Sequence, residues 1–323
     1  MKRQFLLFAL AFITACGSSV PSDSNTIKVE EKEVKTSKAE APKRLGWYES
    51  QSLYGDVESL IITNYKLVDK FGEVSRGGVI DSKKYTFDAV GNVVERQTYL
   101  SNGKLDKRTV YNYDSIGNMI EDVEYNSRGS LSYKIIYKYD SSGNNIETVK
   151  YDSRGSLEWK HISKYNSAAN LSELACYKAD GSLMWKYLYK YDSLGNRTEI
   201  AEHDTRGKRA LKYDESGNVI EDAGYMSDGS LSRKNVYTYD ANSNKISDAS
   251  YNSNGTLSAM TIFKYDSQGN MIESARRLSD GRLVSKYVYK YDAYGNRVEG
   301  TEYGSDALIP KVQTECQIAY RTN

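Results

Sequence analysis

The chain has few of the residues that catalysis and metal binding most often use. Its 323 residues include only two histidines, His161 and His203, and three cysteines. His161 lies in strand-like sequence and His203 stands where equivalent segments carry tyrosine, so we interpret both as sheet residues. The recurrent Asp-Ser-x-Gly-Asn segments lack the ligand spacing of known calcium loops. The sequence therefore predicts a non-enzymatic protein with no metal and no other cofactor.

The chain also has few prolines and almost no net charge. The three prolines, Pro21, Pro42 and Pro310, leave residues 43–309 free of proline, as uninterrupted strand ladders require. Lysine and arginine number 44, against 43 aspartates and glutamates. This balance gives no basic footprint for nucleic acid, so we expect no nucleic-acid partner.

The first cysteine closes a secretory signal. Lys2 and Arg3 precede an apolar run over residues 5–13, which is too short to span a bilayer as a stable helix. The segment Ile13-Thr14-Ala15-Cys16 resembles the bacterial lipoprotein lipobox, which implies a lipoprotein signal peptide over residues 1–15 and lipidation of Cys16. An ordinary secretory signal with a chance cysteine is the alternative. We expect a protein held by a lipid anchor in the bacterial cell envelope, at the outer membrane.

The segment after the signal is rich in Ser, Lys, Glu and Pro and has almost no large apolar residue. Such a composition buries too little surface to order itself, so residues 16–44 are predicted to be a disordered tether.

The other two cysteines, Cys176 and Cys316, lie far apart in the sequence. They can form a disulfide only if the array between them closes on itself.

A repeat dominates what remains. An aromatic residue followed by Asp or Asn recurs every 26 residues, with one step of 22 between Tyr191 and Tyr213. A second copy of the signal lies inside each unit, so the building block is about 13 residues long. A repeat of this regularity indicates a repetitive architecture.

The strictest part of each unit is its turn. Asp bonds its own backbone two residues on, and the glycine of D-x-x-G takes the left-handed conformation that closes a three-residue hairpin loop with a bulge. Asn follows in all nine units, and Ala169 and Ser243 replace glycine in two of them. The structural turn glycines are Gly91, Gly117, Gly143, Gly195, Gly217, Gly269 and Gly295.

The residues between turns alternate partly among Tyr, Val, Ile and Thr, which favours strands. We predict an all-β fold, an elongated, twisted antiparallel β-meander built from 26-residue β-hairpin repeats. Residues 45–84 are predicted to form an N-terminal capping unit with a D-x-x-G turn at Asp69, residues 85–303 the repeats, and residues 304–323 a C-terminal capping strand at the edge.

Tyrosine is unusually frequent, with 29 residues against six phenylalanines. Tyrosine suits a thin sheet in which aromatic rings stack while their hydroxyls reach water. Lys precedes the turn tyrosine in six units, and Glu follows the turn glycine position by four residues in eight. These charges are expected to pair across strands, directly or diagonally, and to add a few tenths of a kcal/mol each.

The units Tyr139-Asp140-Ser141-Ser142-Gly143-Asn144 and Tyr191-Asp192-Ser193-Leu194-Gly195-Asn196 resemble the YD repeats of Rhs-type proteins, over about two thirds of the chain. The resemblance implies antiparallel meanders, which coil into a hollow shell in large toxins of that family, and an association with carbohydrate binding. This chain has no toxin domain, so what carries over is chiefly the meander. The 13-residue alternation also resembles MORN-like repeats, more distantly.

Two functions fit this reading. One is a lipid-anchored envelope protein that presents its sheet to a protein partner, and the other is a carbohydrate-binding surface that uses exposed Tyr and Trp files with Trp159 and Trp185. An exposed aromatic groove favours glycan, whereas an apolar patch near an end cap favours protein.

The 22-residue step is also a candidate contact site. It shortens one hairpin and places Arg206, Lys208 and Arg209 at an exposed turn, where they could contact an acidic partner. A tolerated deletion with no role is the alternative.

Overall fold

All regular secondary structure in the described part of the chain is β-strand. The computed structural model describes residues 43–44, 52–202, 207–305 and 309–321. Within these ranges no helix is long and apolar enough to cross a membrane. The predicted lipidation site Cys16, the signal peptide, His203 and Arg206 lie outside the described residues.

The first two strands form a small pair of their own, and the other twenty form one sheet. In chain order the strands are β1 (Lys43–Arg44), β2 (Ser52–Leu53), β3 (Val57–Lys70), β4 (Glu73–Phe87), β5 (Val93–Leu100), β6 (Leu105–Tyr113), β7 (Met119–Asn126), β8 (Leu131–Tyr139), β9 (Asn145–Asp152), β10 (Leu157–Tyr165), β11 (Leu171–Lys178), β12 (Leu183–Tyr191), β13 (Arg197–Glu202), β14 (Lys208–Tyr213), β15 (Val219–Tyr225), β16 (Leu231–Tyr239), β17 (Lys245–Asn252), β18 (Leu257–Tyr265), β19 (Met271–Leu278), β20 (Leu283–Tyr291), β21 (Arg297–Tyr303) and β22 (Pro310–Tyr320).

The sheet closes on itself. Each strand from β3 to β22 pairs antiparallel with its neighbours in sequence, and β22 pairs with β3 from Val312 opposite Lys66 to Tyr320 opposite Val57. The antiparallel hairpin succession is as predicted, but the elongated open form is wrong, and so is the edge role of the C-terminal strand. The two segments predicted as caps satisfy each other's unpaired backbone groups, which removes both edges.

A ring of twenty strands is too wide for its own side chains to fill. At about 4.8 Å per strand the ring is roughly 30 Å or more across, and barrels of about 16 strands or more leave an open interior. Only fifteen hydrophobic side chains of the described residues are buried. Their single cluster lies where the ring closes and contains Leu53, Val57, Leu60, Ile62, Tyr85, Phe87 and Cys316.

Closure does not bring the cysteines together. Cys176 lies in β11 and Cys316 in β22, nine strands apart one way around the ring and eleven the other. The two buried thiols are therefore on opposite walls, and no disulfide joins them.

The Tyr-Asp turns share the same hydrogen bonds between the carboxylate and the backbone, and all but the turn at Asp292 add a bond from the Asn amide. In the unit at Asp140, the Oδ1 atom accepts from the backbone N–H of Ser142 and of Asn144 at 2.9 Å, and Oδ2 accepts from the Asn144 side-chain amide at 2.9 Å. The Asn144 amide and these backbone groups lower the pKa of Asp140. Gly143 takes φ 82° and the register shifts by one residue at Tyr139. The predicted three-residue loop with a bulge is therefore confirmed.

The hydroxyl of the turn tyrosine also has a structural partner, rather than the water expected from the sequence. Tyr139 donates to the carbonyl oxygen of Met119, at 2.7 Å. The same bond forms at 2.6–2.9 Å in eight units, from Tyr113, Tyr139, Tyr165, Tyr191, Tyr213, Tyr239, Tyr265 and Tyr291. Each repeat is thereby bonded to the one before it, which explains why tyrosine and not phenylalanine stands at this position.

The two faces of the sheet differ. Lys138 lies directly opposite Glu147, with Nζ and Oε1 2.6 Å apart, and five further pairs repeat this arrangement at 2.7–3.0 Å. The predicted pairing is confirmed. We call the face that carries these pairs the ladder face, and the opposite face, which carries Tyr137, Trp159 and Tyr189, the aromatic face.

The first hairpin of the ring and the last repeat are both adapted to closure. The β3–β4 turn is a two-residue loop in which Phe71 (φ 60°) and Gly72 (φ 86°) are both left-handed. Such a loop is a type I′ turn rather than the predicted D-x-x-G loop.

At the other end of the array, the Asn296 amide is fully buried and bonds both the N–H and the carbonyl of Tyr54. The chain thus joins the ring at the rim that carries the Tyr-Asp turns, which we call the Tyr-Asp rim.

We predict that Tyr139→Phe destabilises the ring by about 1 kcal/mol, because it removes one partly buried interstrand hydrogen bond and keeps the aromatic packing. The measurement is the free energy of unfolding in urea. Tyr151→Phe, on the ladder face and without a hydroxyl bond, is the control and is expected to change it by less than about 0.5 kcal/mol. Equal effects of the two changes would contradict this role.

We predict that Ala169→Gly is stabilising by up to about 1 kcal/mol, because glycine adopts a left-handed conformation without strain. Ala169 holds such a conformation, with a φ of 59°. Ala168→Gly, one residue earlier and outside the left-handed region, is the matched control and is expected to be destabilising. The two melting temperatures should therefore move in opposite directions. A lower melting temperature for Ala169→Gly would disprove the account of this turn.

Candidate functional site

Four ring-bearing side chains form a continuous row on the aromatic face. Trp159 stacks on His161 of the same strand with ring centroids 4.2 Å apart and planes 22° from parallel. His161 contacts Trp185 of β12 at 5.0 Å, and Trp185 contacts Tyr187 at 5.2 Å. The predicted candidates Trp159 and Trp185 are therefore brought together, with His161 between them. We call these four residues the aromatic row.

The repeat register explains why the row forms. Residues six before each turn tyrosine lie at one level of the sheet, and there Trp159 and Trp185 occupy consecutive units. The strand between them places Cys176 directly opposite both His161 and Trp185. Cys176 is small and buried, so the two larger rings meet above it.

A cavity opens beside the row at the short hairpin. Strands β13 and β14 have six residues each, whereas the strands of other repeats have seven to nine. These two strands therefore end short of the rim opposite the Tyr-Asp rim, as the 22-residue step predicted. A pocket of about 510 Å³ lies there, and its size is within the usual range for ligand sites. We call it the notch pocket.

The notch pocket is lined by cationic and aromatic side chains and by no carboxylate among the described residues. Its walls include Tyr187, Tyr189, Arg197, Lys208, Arg209 and Arg233. Lys208 and Arg209 lie in strand β14, not at an exposed turn as predicted. Arg209 makes a bidentate pair with the buried Asp222, and Lys208 lies 3.7 Å from Glu199.

The remaining two arginines are held without a carboxylate partner among the described residues. The Arg197 guanidinium lies 5.5 Å from the centre of the Tyr189 ring, and its Nε atom is buried and makes no hydrogen bond. Arg233 passes over Gly224, where an added Cβ would be 3.4 Å from Arg233 Cγ. The absence of a side chain at Gly224 is what gives Arg233 room on this face.

The row and the pocket form one site because Tyr187 belongs to both. The sequence pointed to Trp159, Trp185, Lys208 and Arg209, but it did not assign His161, Tyr187 or Arg233. The signal that finds Arg233 is the column six residues before the turn tyrosine, which reads Tyr133, Trp159, Trp185, Gly207 and Arg233 in successive units; His161 and Tyr187 stand in the column four residues before it.

A second polar cluster lies on the aromatic face nearer the seam of the ring. Asp122 is buried with Oδ1 unbonded, and burial raises its pKa to about 6. The Tyr137 hydroxyl donates to its other oxygen at 3.3 Å, and Arg96 lies 3.8 Å from the neighbouring Glu124. Across the described residues, no group of three or more His, Cys, Asp or Glu side chains is arranged to hold a metal ion.

Comparison with known proteins identifies no family. No protein-family profile and no curated protein sequence matches the chain. The chain is similar in structure to TcdB2-TccC3, at 12% identity over 75% of this chain and 17% of that one, with a TM-score of 0.34. It is also similar to the Tc holotoxin pore of Photorhabdus luminescens, at 11% identity over 79% and 18% with a TM-score of 0.33. A porin-like protein from Bacteroides uniformis matches at 10% identity over 81% and 96%, with a TM-score of 0.35.

The chain spans less than a fifth of the toxin chains that it matches. At these identities and TM-scores the likenesses contribute nothing to the assignment of fold or function. Both assignments rest on the strand pairing and on the side chains of this chain.

We predict that the row responds to protonation of His161. Burial lowers the pKa of His161, so its ring is neutral at pH 7 and takes up a proton only below the ordinary value of about 6.5. The unfolded chain binds this proton at higher pH, so the row loses stability as the pH falls below that value. Tryptophan fluorescence should therefore change below about pH 6.5 in the native protein. The change should be absent in His161→Thr, which copies Thr261 at the equivalent position, and its persistence there would refute the assignment.

Proposed function

We propose that this protein is a non-enzymatic carbohydrate-binding protein of the bacterial cell envelope, which holds glycan along the aromatic row. The observation that carries the proposal is the contact series Trp159, His161, Trp185 and Tyr187, with centroid separations of 4.2–5.2 Å. The C–H faces of sugar rings pack against aromatic faces, and sugar hydroxyls need polar groups at the edges of those faces. A row of rings that ends in a polar pocket supplies both.

The contrast with later repeats supports a role beyond packing. Later strands of the same length and register carry Ala259, Thr261 and Ser285 at the positions of Trp159, His161 and Trp185. The ring therefore forms without these three large side chains. Their concentration in two adjacent units is extra aromatic surface that strand pairing does not require.

The position of the row suits a protein anchored by its N-terminus. Tyr54 brings the chain to the Tyr-Asp rim through its bonds with Asn296. Trp159 and Trp185 lie six residues before the turn tyrosines, and the notch pocket reaches Gly207 beside the shortened hairpin, so both extend toward the opposite rim. With Cys16 lipidated and residues 16–44 as a tether, the site would face away from the point where the chain joins the ring.

A second candidate function is contact with a protein through the β3–β4 hairpin. Its tip carries Phe71, which is fully exposed in a left-handed conformation, with Val74 also exposed beside it. These strands are 14 and 15 residues long, longer than any strand of the repeats. The tip is an exposed apolar patch in the N-terminal capping unit, the feature that favours a protein partner.

Glycan-array binding of the purified chain tests the main proposal. The double variant Trp159→Ala with Trp185→Ser copies Ala259 and Ser285, so it is expected to fold and to bind the recognised glycan at least about tenfold more weakly. Binding is expected to weaken because the variant loses two aromatic surfaces on which sugars stack, while the closed β-sheet stays intact. Circular dichroism and the urea midpoint establish that the variant is folded.

Tyr287→Ala is the matched control, since Tyr287 is the repeat equivalent of Tyr187 and lies outside the row. It should leave glycan binding unchanged, as should Phe71→Ser at the hairpin tip. Absence of any glycan ligand for the native chain, or full binding by the folded double variant, would reject the aromatic row as a carbohydrate site.

A further inference from the structure

We infer that the notch pocket is an acidic-sugar subsite, which binds the carboxylate of a uronic acid in the glycan held by the aromatic row. This inference rests on the proposed function, because the row supplies the rest of the binding surface. It adds the class of glycan: a chain that carries carboxylates, with one of them seated between Arg197 and Arg233.

The charge balance of the pocket is the first argument. Four cationic residues line it, Arg197, Lys208, Arg209 and Arg233, and no described carboxylate does. Asp222 neutralises Arg209, and Glu199 lies beside Lys208. Arg197 and Arg233 are left without a described carboxylate in ion-pair reach, so the described residues of the pocket carry uncompensated positive charge, in a chain whose total charge is close to zero.

The geometry of the two arginines is the second argument. Arg197 is fixed on the face of Tyr189, and its buried Nε–H has no acceptor. Arg233 lies over Gly224, which has no side chain to displace it, and is exposed. A planar guanidinium matches a carboxylate through two parallel hydrogen bonds, which a point charge such as Lys cannot do.

The backbone keeps the pocket open. Gly207 has φ 102°, and a Cβ at this position would collide with the carbonyl oxygen of Tyr225. Any other residue would push β14 away from β15 at the floor of the pocket. Position 207 therefore requires glycine. It lies between Trp185 and Arg233 in the column six residues before the turn tyrosine.

Continuity with the row decides between a sugar and an acidic peptide. Tyr187 forms the last ring of the row and one wall of the pocket, so a ligand stacked on Trp185 continues into the pocket without a break. A peptide would need backbone partners, and the closed ring offers no free strand edge on this side. A uronic acid combines a flat apolar ring face with a carboxylate on the same residue.

The test compares oligouronides with their methyl esters, which keep the sugar chain and remove the charge. Oligomers of galacturonate, glucuronate and mannuronate are titrated into the full chain, purified in detergent, by calorimetry. We expect at least one acid to bind about tenfold or more tightly than its ester, with the difference shrinking as salt is added. Arg233→Ala, which copies Ala259, should abolish that preference and leave binding of the ester unchanged.

Arg276→Ser is the control, because it removes the same charge from an exposed position of the same face outside the pocket. It should keep the preference for the acid. Equal affinity for acid and ester, failure of every acid to bind, or a preference that survives Arg233→Ala overturns the inference. A sulfated neutral oligosaccharide or oligoglutamate bound as tightly as the acid would also overturn it.

Failure of the subsite is distinguishable from failure of the proposed function. A glycan whose binding depends on Trp159 and Trp185, but not on its carboxylates or on Arg233, leaves the row as a neutral-sugar site. Loss of both acid and ester binding in the folded Trp159→Ala, Trp185→Ser variant supports the row as the shared platform. Undiminished binding of both by that variant rejects the platform and the subsite together.

Discussion

The whole ring depends on one hydrogen-bonded turn, repeated at one rim. In each unit the side-chain oxygen of the Asp, or of Asn166 in one unit, accepts from two backbone N–H groups, and the amide of the following Asn completes the loop in most units. The turn tyrosine then reaches back to a carbonyl of the preceding unit. The first set of bonds fixes where each strand starts, and the second fixes how consecutive hairpins lie against each other. Since side chains alternate between faces, this register also decides which residues share a surface.

Local structure was readable from the sequence because its causes are local. The D-x-x-G loops, the left-handed Ala169 and Ser243, and the Lys–Glu pairs all follow from residues within one hairpin. Closure of the ring was not readable, because it depends on twist accumulated over twenty strands and on contacts such as Tyr54 with Asn296, 242 residues apart. The terminal segments also depart from the repeat, so their fit to each other leaves no periodic signal.

The site was predictable only as separate pieces. Two tryptophans and one shortened unit stand out in an otherwise regular sequence, and the structure joins them through Tyr187. The roles of Arg209 and Arg233 could not be separated beforehand, since each is an arginine just after a turn at the same rim, in neighbouring hairpins. Their difference comes from what lies opposite: Arg209 reaches the buried Asp222, whereas Arg233 crosses the bare backbone of Gly224.

The location of the site on the ring explains how a regular array tolerates it. The hairpin β13–β14 is ten strands from β3, halfway around from the seam where the apolar cluster of Leu53, Leu60 and Cys316 lies. Effects of substitutions at well separated positions are nearly additive, so changes beside the notch leave closure at the seam undisturbed. A deletion of four residues is even, so each side chain stays on its own face after it. Because these strands lie far from the seam and the length change is even, they can be shorter and carry tryptophan and exposed arginine while the ring stays closed.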